Sequence, residues 1–201
     1  MKVKLKIKRV FDIVFTVPLC LIFLPLLVII AIVIKFDSKG PIFFLQNRRG
    51  LDFKIIKVIK FRTLKHNIPD PHENYEMLEN DVRITQVGSF LRKTSLDELP
   101  QLINVLMGTM SLVGPRPLVE WESQKSLGNY SKRFCVKPGI TGLSQLSGRN
   151  SIDFNSRCEK DIEYIHRWSF GLDLLLLIKT PFSLLKTHTI YPNNEQYITK
   201  E

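Results

Sequence analysis

With 201 residues, 29 of them Lys or Arg against 19 Asp or Glu, the chain has room for one membrane element and one compact domain, and too little for two large domains. The net charge of +10 is unevenly placed: within residues 1–65, 14 basic residues are set against Asp12, Asp37 and Asp52 alone, while the remainder is close to neutral. A nucleic-acid binder would spread its excess over the folded domain, so this placement argues against nucleic acid and for anionic headgroups, which attract a nearby Lys or Arg by about 1 kcal/mol each.

Residues 13–34 carry no charge, and at about 1.5 Å per residue they would extend roughly 33 Å, the thickness of one hydrocarbon core. Lys2, Lys4, Lys6, Lys8 and Arg9 precede the segment, and Lys35, Lys39, Arg48 and Arg49 follow it. The preference of basic residues for the cytoplasmic side therefore asks both ends to lie there. Pro18 and Pro25 sit inside the run, where each removes a helical hydrogen bond. The reading is a re-entrant helix-break-helix over residues 1–40 with its break at Pro25, and a single span is the alternative. A signal peptide fits less well, because Lys35-Phe36-Asp37-Ser38-Lys39 offers no small-residue cleavage site.

Residues 41–201 are then expected to form one domain seated on the cytosolic side of the membrane, the catalytic domain if the chain is an enzyme. Gly40-Pro41 and Gly50 bracket a short extended stretch, and the β-branched, lysine-rich run over residues 53–62 predicts a strand close to the headgroups. Residues 66–81 turn polar and acidic around Pro69 and Pro71 and predict a mobile surface loop. After Asp97, the residues Leu99, Leu102, Ile103 and Leu106 recur with helical spacing and predict a buried apolar stripe, with Asp97, Gln101 and Asn104 on the opposite, polar face. The run from Trp168 to Ile178 is too short to cross a bilayer, and an interfacial helix and a core helix are both open. The fold class is α+β, mostly helical. Cys20, Cys135 and Cys158 are odd in number and far apart, and the four histidines lack metal-binding spacing, so neither a disulfide framework nor a zinc site is predicted.

The chemistry concentrates in Thr94-Ser95-Leu96-Asp97-Glu98-Leu99-Pro100-Gln101 and Ser111-Leu112-Val113-Gly114-Pro115-Arg116-Pro117. Two adjacent carboxylates can supply a nucleophile and a metal ligand, and an arginine held between two prolines can grip a phosphate with its planar fork. Ser95 and Glu98 also have the spacing of a capping box, a structural account that the motif alone does not exclude. Arg116 could equally be a solvated arginine in a proline turn. Lys60-Phe61-Arg62-Thr63, Lys137-Pro138-Gly139-Ile140-Thr141-Gly142 and Gly148-Arg149-Asn150 each have an ordinary reading as a strand, a turn and a loop.

Their joint order, opened by Lys8-Arg9-Val10-Phe11-Asp12 and closed near Leu172-Asp173, resembles the bacterial sugar transferases, and within them the small monotopic phosphoglycosyl transferases. The resemblance covers nearly the whole chain. It implies Asp97 as nucleophile, Glu98 with Asp97 as the Mg2+ site, Arg116 on the phosphates and Arg149 near the nucleotide. Lys60 and Arg62 join Arg116 as candidate substrate-binding residues. It departs from the family pattern at Leu24-Pro25, where a Ser-Pro pair is common, and at Thr109, Ser144 and Ser147.

The implied reaction transfers a sugar 1-phosphate from a UDP-sugar to undecaprenyl phosphate, a polyprenol phosphate, at the cytoplasmic face of a bacterial inner membrane. It releases UMP through an aspartyl phosphosugar. The short chain resembles members acting on N-acetylated amino sugars. A UDP-hexose substrate and a non-catalytic membrane-anchored basic scaffold are the alternatives. The partners are the UDP-sugar, the lipid phosphate and the membrane, with no nucleic acid, and the oligomeric state, a homodimer included, is open.

Overall fold

The computed structural model describes residues 2–66, 81–148 and 151–185. The polar loop expected over residues 66–81 falls almost entirely outside them, as does Arg149. Helix α1 (Lys2–Asp37) is 36 residues long, about 54 Å at 1.5 Å per residue, and is long and apolar enough to cross a membrane.

Its contacts form one stripe. Lys8, Asp12, Thr16, Ile30 and Ile34 are buried, and Leu19, Cys20, Phe23, Leu26 and Leu27 between them are partly covered. The three- and four-residue spacing keeps this stripe on the rest of the protein along the length of the helix. Val10, Val14, Val17, Leu21, Leu24, Val28 and Ile32 on the other side are exposed.

The helix runs through Pro18 and Pro25 without leaving helical structure, so the break expected at Pro25 is not present as an interruption. Pro25 lies on the exposed side while Phe23, Leu26 and Leu27 pack inward around it, and this packing holds the helix together where one hydrogen bond is lost.

Strands β1 (Phe43–Arg49) and β2 (Ile55–Phe61) form an antiparallel hairpin that pairs Phe43 with Phe61 and Arg49 with Ile55, close to the strand expected over residues 53–62. Helix α2 (Gln86–Thr94) begins at Thr85, whose Oγ1 accepts from Gly88 N at 2.9 Å. A 3₁₀ turn (Leu96–Glu98) leads to α3 (Gln101–Met107). Ser95 ends α2 in the left-handed conformation at φ 57° and makes no side-chain cap to the turn, so the capping box is not formed.

Strands β3 (Ser111–Val113) and β4 (Gly139–Thr141) pair in parallel. Helices α4 (Glu120–Lys125), α5 (Leu143–Leu146), α6 (Phe154–Arg167) and α7 (Phe170–Leu185) complete a mostly helical α+β fold. The loops beside β3 and β4 approach so closely that a Cβ on Gly139 would sit 2.1 Å from Gly114 N, and one on Gly114 would sit 2.6 Å from the Lys137 carbonyl.

Two apolar clusters build the core. Val58, Leu102, Val105, Met110, Leu112, Val113, Tyr164 and Leu176 form one; Ile30, Ile34, Phe61 and Leu91 form the other. The apolar stripe expected on α3 is turned: Leu102 and Val105 are buried together with Gln101 and Asn104, whereas Ile103 and Leu106 are each 39% exposed and Met107 58%. Asn104 decides this orientation. Its Oδ1 accepts from Ile59 N at 2.9 Å and its Nδ2 donates to the Lys57 carbonyl at 2.7 Å, pairing with β2 as another strand would.

The C-terminal run forms α7, which packs one side into the core and leaves the other exposed. In α7, Asp173 and Leu176 are buried, while Phe170, Leu174, Leu175, Ile178 and Phe182 are exposed.

The two ends of the motif series meet. Lys8 Nζ lies 2.6 Å from Asp173, which also accepts from the Tyr164 hydroxyl at 2.7 Å and Trp168 Nε1 at 3.1 Å. Asp12 accepts from Ser111 Oγ at 2.8 Å and Leu112 N at 3.1 Å, and the Arg9 guanidinium donates to the Val105 and Leu106 carbonyls at the end of α3. The first turns of α1 are thus tied by charge to α3, β3 and α7. Its last turns pack on Phe61 and Leu91.

Candidate functional site

The 3₁₀ turn after α2 carries Asp97 and Glu98 to the end of β2 and to the loop that follows β3. Glu98 Oε1 accepts from Lys60 Nζ at 2.8 Å and from Arg116 at 3.1 Å. All three residues line one small open pocket together with Arg48, Val58, Gln101 and Pro117. The expected residues Asp97, Glu98, Lys60 and Arg116 are therefore neighbours. Arg62 is employed elsewhere: its guanidinium donates to the Ser38 and Lys39 carbonyls and to Ser38 Oγ, fastening the end of α1.

The two carboxylates differ. Burial alone would push the Glu98 carboxyl up, but the Arg116 and Lys60 cations, both also hydrogen-bonded to it, hold it well below the usual carboxylate range. Asp97 makes no hydrogen bond or ion pair among the described residues. Burial, joined by the neighbouring Glu98 charge, pushes its carboxyl up from 3.8 to about 6, against the opposing pull of Lys60, Arg92 and Arg116. One acid is thus permanently charged and pinned, and its neighbour is unpaired and poised close to neutral pH.

Stiffness around Arg116 comes from more than its flanking prolines. Every carbonyl from Pro115 to Leu118 accepts a hydrogen bond: from Gly139 N at 2.9 Å, Arg133 at 3.0 Å, Arg48 at 3.2 Å and Arg49 N at 2.8 Å. Arg133 is itself locked by a buried ion pair with Asp161, whose other oxygen accepts from Ser144 Oγ at 2.7 Å. Arg48 donates to Gln46 Oε1 at 2.8 Å and lies 3.9 Å from Glu122, which Arg157 also holds at 3.3 Å.

Arg48, Arg133 and Asp161 also hold the site together, without a motif to mark them. Arg48 was visible only as one of the basic residues flanking the apolar run. Arg133 and Asp161 lie in stretches with no recognisable spacing, where only the fold reveals a buried pair.

Among the described residues no group of three or more His, Cys, Asp and Glu side chains comes together. The donor set that is present consists of Asp97 and the second oxygen of Glu98, two adjacent carboxylate groups beside three cations.

A family model described as bacterial sugar transferase matches residues 3–187. A UDP-glucose:undecaprenyl-phosphate glucose-1-phosphate transferase of Klebsiella pneumoniae is 45% identical over 183 residues, covering 87% of this chain and 39% of that protein. A UDP-galactose-lipid carrier transferase of Erwinia amylovora is 41% identical over 199 residues, covering 92% of the chain and 42% of the relative. A Caulobacter vibrioides protein named like the Klebsiella one is 40% identical over 193 residues, which is 92% of this chain and 72% of the relative. The chain spans about two fifths of the length of the first two. With the motif series, a carboxylate pair of which Glu98 is held by Lys60 and Arg116, and a family match over residues 3–187, the chain belongs to the bacterial sugar transferases.

Proposed function

We propose that the chain is a polyprenol-phosphate phosphoglycosyl transferase that moves a hexose 1-phosphate from a UDP-hexose to undecaprenyl phosphate and releases UMP. The asymmetry of the carboxylate pair carries this reading. Asp97, unpaired and largely ionised at neutral pH, attacks the sugar-side phosphorus; the bond from that phosphorus to the bridging oxygen breaks, and UMP leaves with the electron pair. A phosphate oxygen of the lipid then attacks the same phosphorus and expels the Asp97 carboxylate. An ionised carboxylate needs no base, so the demand on the protein is to place and neutralise phosphate charge, which Lys60 and Arg116 supply from fixed positions.

The donor set fits Mg2+, which is commonly held by one or two carboxylates together with substrate phosphates. Glu98, through its oxygen not taken by Lys60 and Arg116, and Asp97 would hold it. When bound it would withdraw charge from the diphosphate. The surrounding cations disfavour a bare metal ion, so it is expected to arrive with the nucleotide sugar.

The substrate reading replaces the amino sugar expected from chain length. The names of the Klebsiella, Caulobacter and Erwinia relatives specify glucose or galactose. Length is no guide either, because the chain already covers 72% of the glucose-named Caulobacter protein.

The membrane reading is a monotopic seat in the cytoplasmic leaflet of the bacterial inner membrane. It is supported by Arg9 and Asp12 near one end of α1 and Ile34 near the other contacting one folded body, with an apolar face turned outward between them. A straight span would put those ends on opposite sides.

The test is UMP release by the full chain in membranes with undecaprenyl phosphate, across UDP-glucose, UDP-galactose and their N-acetylated counterparts. Release with a hexose donor is expected. Release with the N-acetylated donors alone would overturn the sugar, and no release with any donor would overturn the enzymatic reading in favour of a scaffold.

A further inference from the structure

Arg48 has a position in the pocket that its flanking role does not explain. It comes from the last turn-ward part of β1 and lines the same cavity as Lys60, Glu98 and Arg116. Its protein hydrogen bonds, to Pro117 O and Gln46 Oε1, use two of the five donors of a guanidinium. Glu122, at 3.9 Å, is too far for a hydrogen bond and is shared with Arg157 at 3.3 Å. The pocket thus gathers three cations around one carboxylate, Glu98, already engaged by two of them. A pocket with this surplus suits a ligand bearing two or more negative charges.

Asp97 does not line this pocket itself, and Arg48, unlike Lys60 and Arg116, makes no hydrogen bond to the Glu98 beside Asp97. Lys60 and Arg116 both hydrogen-bond Glu98, next to Asp97 in the chain, while Arg48 is tied to Pro117, the residue after Arg116, and to Gln46. Arg116 thus links the two by contact, bonded to Glu98 on one side and followed on the other by Pro117, whose carbonyl accepts from Arg48. Burial first, and then Arg116, push the Arg48 guanidinium down to about 10, which leaves it charged at neutral pH.

We propose that Arg48 is a further substrate-binding residue of this site, donating to the phosphate of the departing nucleotide while Arg116 bridges toward the phosphorus that Asp97 attacks. The ligand class is a nucleoside monophosphate, free as product or as the nucleotide half of a nucleoside diphosphate sugar. This rests on the phosphoglycosyl transfer reading above. It assigns the two arginines different duties: Arg116 serves both half-reactions, whereas Arg48 serves only the half-reaction in which the nucleotide is present.

The experiment compares the full-length chain with Arg48→Met and Arg48→Lys, measuring product inhibition by UMP and the KM for undecaprenyl phosphate. In Arg48→Met the inhibition constant for UMP is expected to rise about tenfold or more, with the lipid KM within about twofold of native, because one charge-assisted contact to the nucleotide alone is lost. Arg48→Lys, which keeps the charge and loses the fork, should fall between. Glu122→Gln, which alters the neighbour of Arg48 without removing a donor to the ligand, should shift UMP inhibition far less than Arg48→Met.

An equal rise in both constants would mean that Arg48 only stiffens the loop of Arg116, and would overturn the proposal. So would unchanged UMP inhibition in Arg48→Met. Native protein that transfers no sugar phosphate and is not bound by UMP would instead remove the reading on which the proposal rests, and the proposal with it.

Discussion

Asp97 and Glu98 are adjacent in sequence and opposite in electrostatic situation. Glu98 faces Lys60 and Arg116, so its ionised form is stabilised by the fold; Asp97 has no such partner, and its ionised form is penalised by burial and by Glu98. A raised acid holds its proton in the folded state over a range where the unfolded chain has lost it. Stability from this group is therefore greatest below 3.8 and is lost as pH rises through about 6. Ionised Asp97 then costs the fold on the order of 1–3 kcal/mol at neutral pH and above. Asp97→Asn should raise the melting temperature by several degrees at about pH 8 while abolishing turnover, and the gain should shrink at about pH 4. A melting curve that is unchanged or lowered at the higher pH would count against a strained, unpaired carboxylate.

The same shift predicts that the rate of UMP release in the first half-reaction falls on acidification with an apparent pKa near 6, as Asp97 takes up a proton. Glu98→Gln has the opposite effect on stability, because Lys60 and Arg116 lose their shared anion. A loss of about 1–3 kcal/mol is expected in denaturant unfolding, and activity should drop with it.

At the scale of elements, α3 shows best how a sequence pattern can mislead. Leu99, Leu102, Ile103 and Leu106 have proper helical spacing, yet Ile103 and Leu106 point outward and Asn104 points in. Periodicity assumes that a helix buries its apolar face against apolar partners. Here the neighbouring β2 also presents a backbone N–H and C=O, and Asn104 answers both. Replacing Asn104 with Leu would orphan those two groups and should cost about 2–4 kcal/mol in unfolding free energy despite the gain in hydrophobicity. A neutral or stabilising result would show that the strand pairing by Asn104 contributes little.

The hairpin and the site were more legible. The residues from Lys57 to Phe61 reveal a strand by their composition, and the paired prolines around Arg116 reveal a rigid loop. The anchoring of that loop was not legible, because the donors Arg133, Arg48 and Gly139 come from three distant segments. Nor was the use of Arg62, whose partners are backbone carbonyls with no side-chain signature.

At the scale of the whole molecule, the charge asymmetry of the sequence reappears as architecture. Lys8 and Arg9 bind Asp173 and the end of α3, and Arg62 binds the end of α1, so basic residues at both ends of the apolar helix tie it to one body. The topology test needs cysteines that leave these ties intact. Lys8 is buried in its ion pair, whereas Lys6 and Lys39 are exposed. With Cys20, Cys135 and Cys158 replaced, single cysteines at positions 6 and 39 should share one labelling pattern toward an impermeant reagent in intact cells. Opposite patterns would establish a true span.

The covalent role of Asp97 gives the account its most direct test. Full-length protein, shown to be active with undecaprenyl phosphate, is mixed with UDP-hexose alone and quenched. A nucleophilic Asp97 gives a burst of UMP stoichiometric with enzyme and a gain of one hexose phosphate in mass on the peptide containing Asp97, both absent in Asp97→Asn. Active enzyme that shows neither burst nor adduct would contradict it, and would leave direct transfer between the two substrates in a ternary complex.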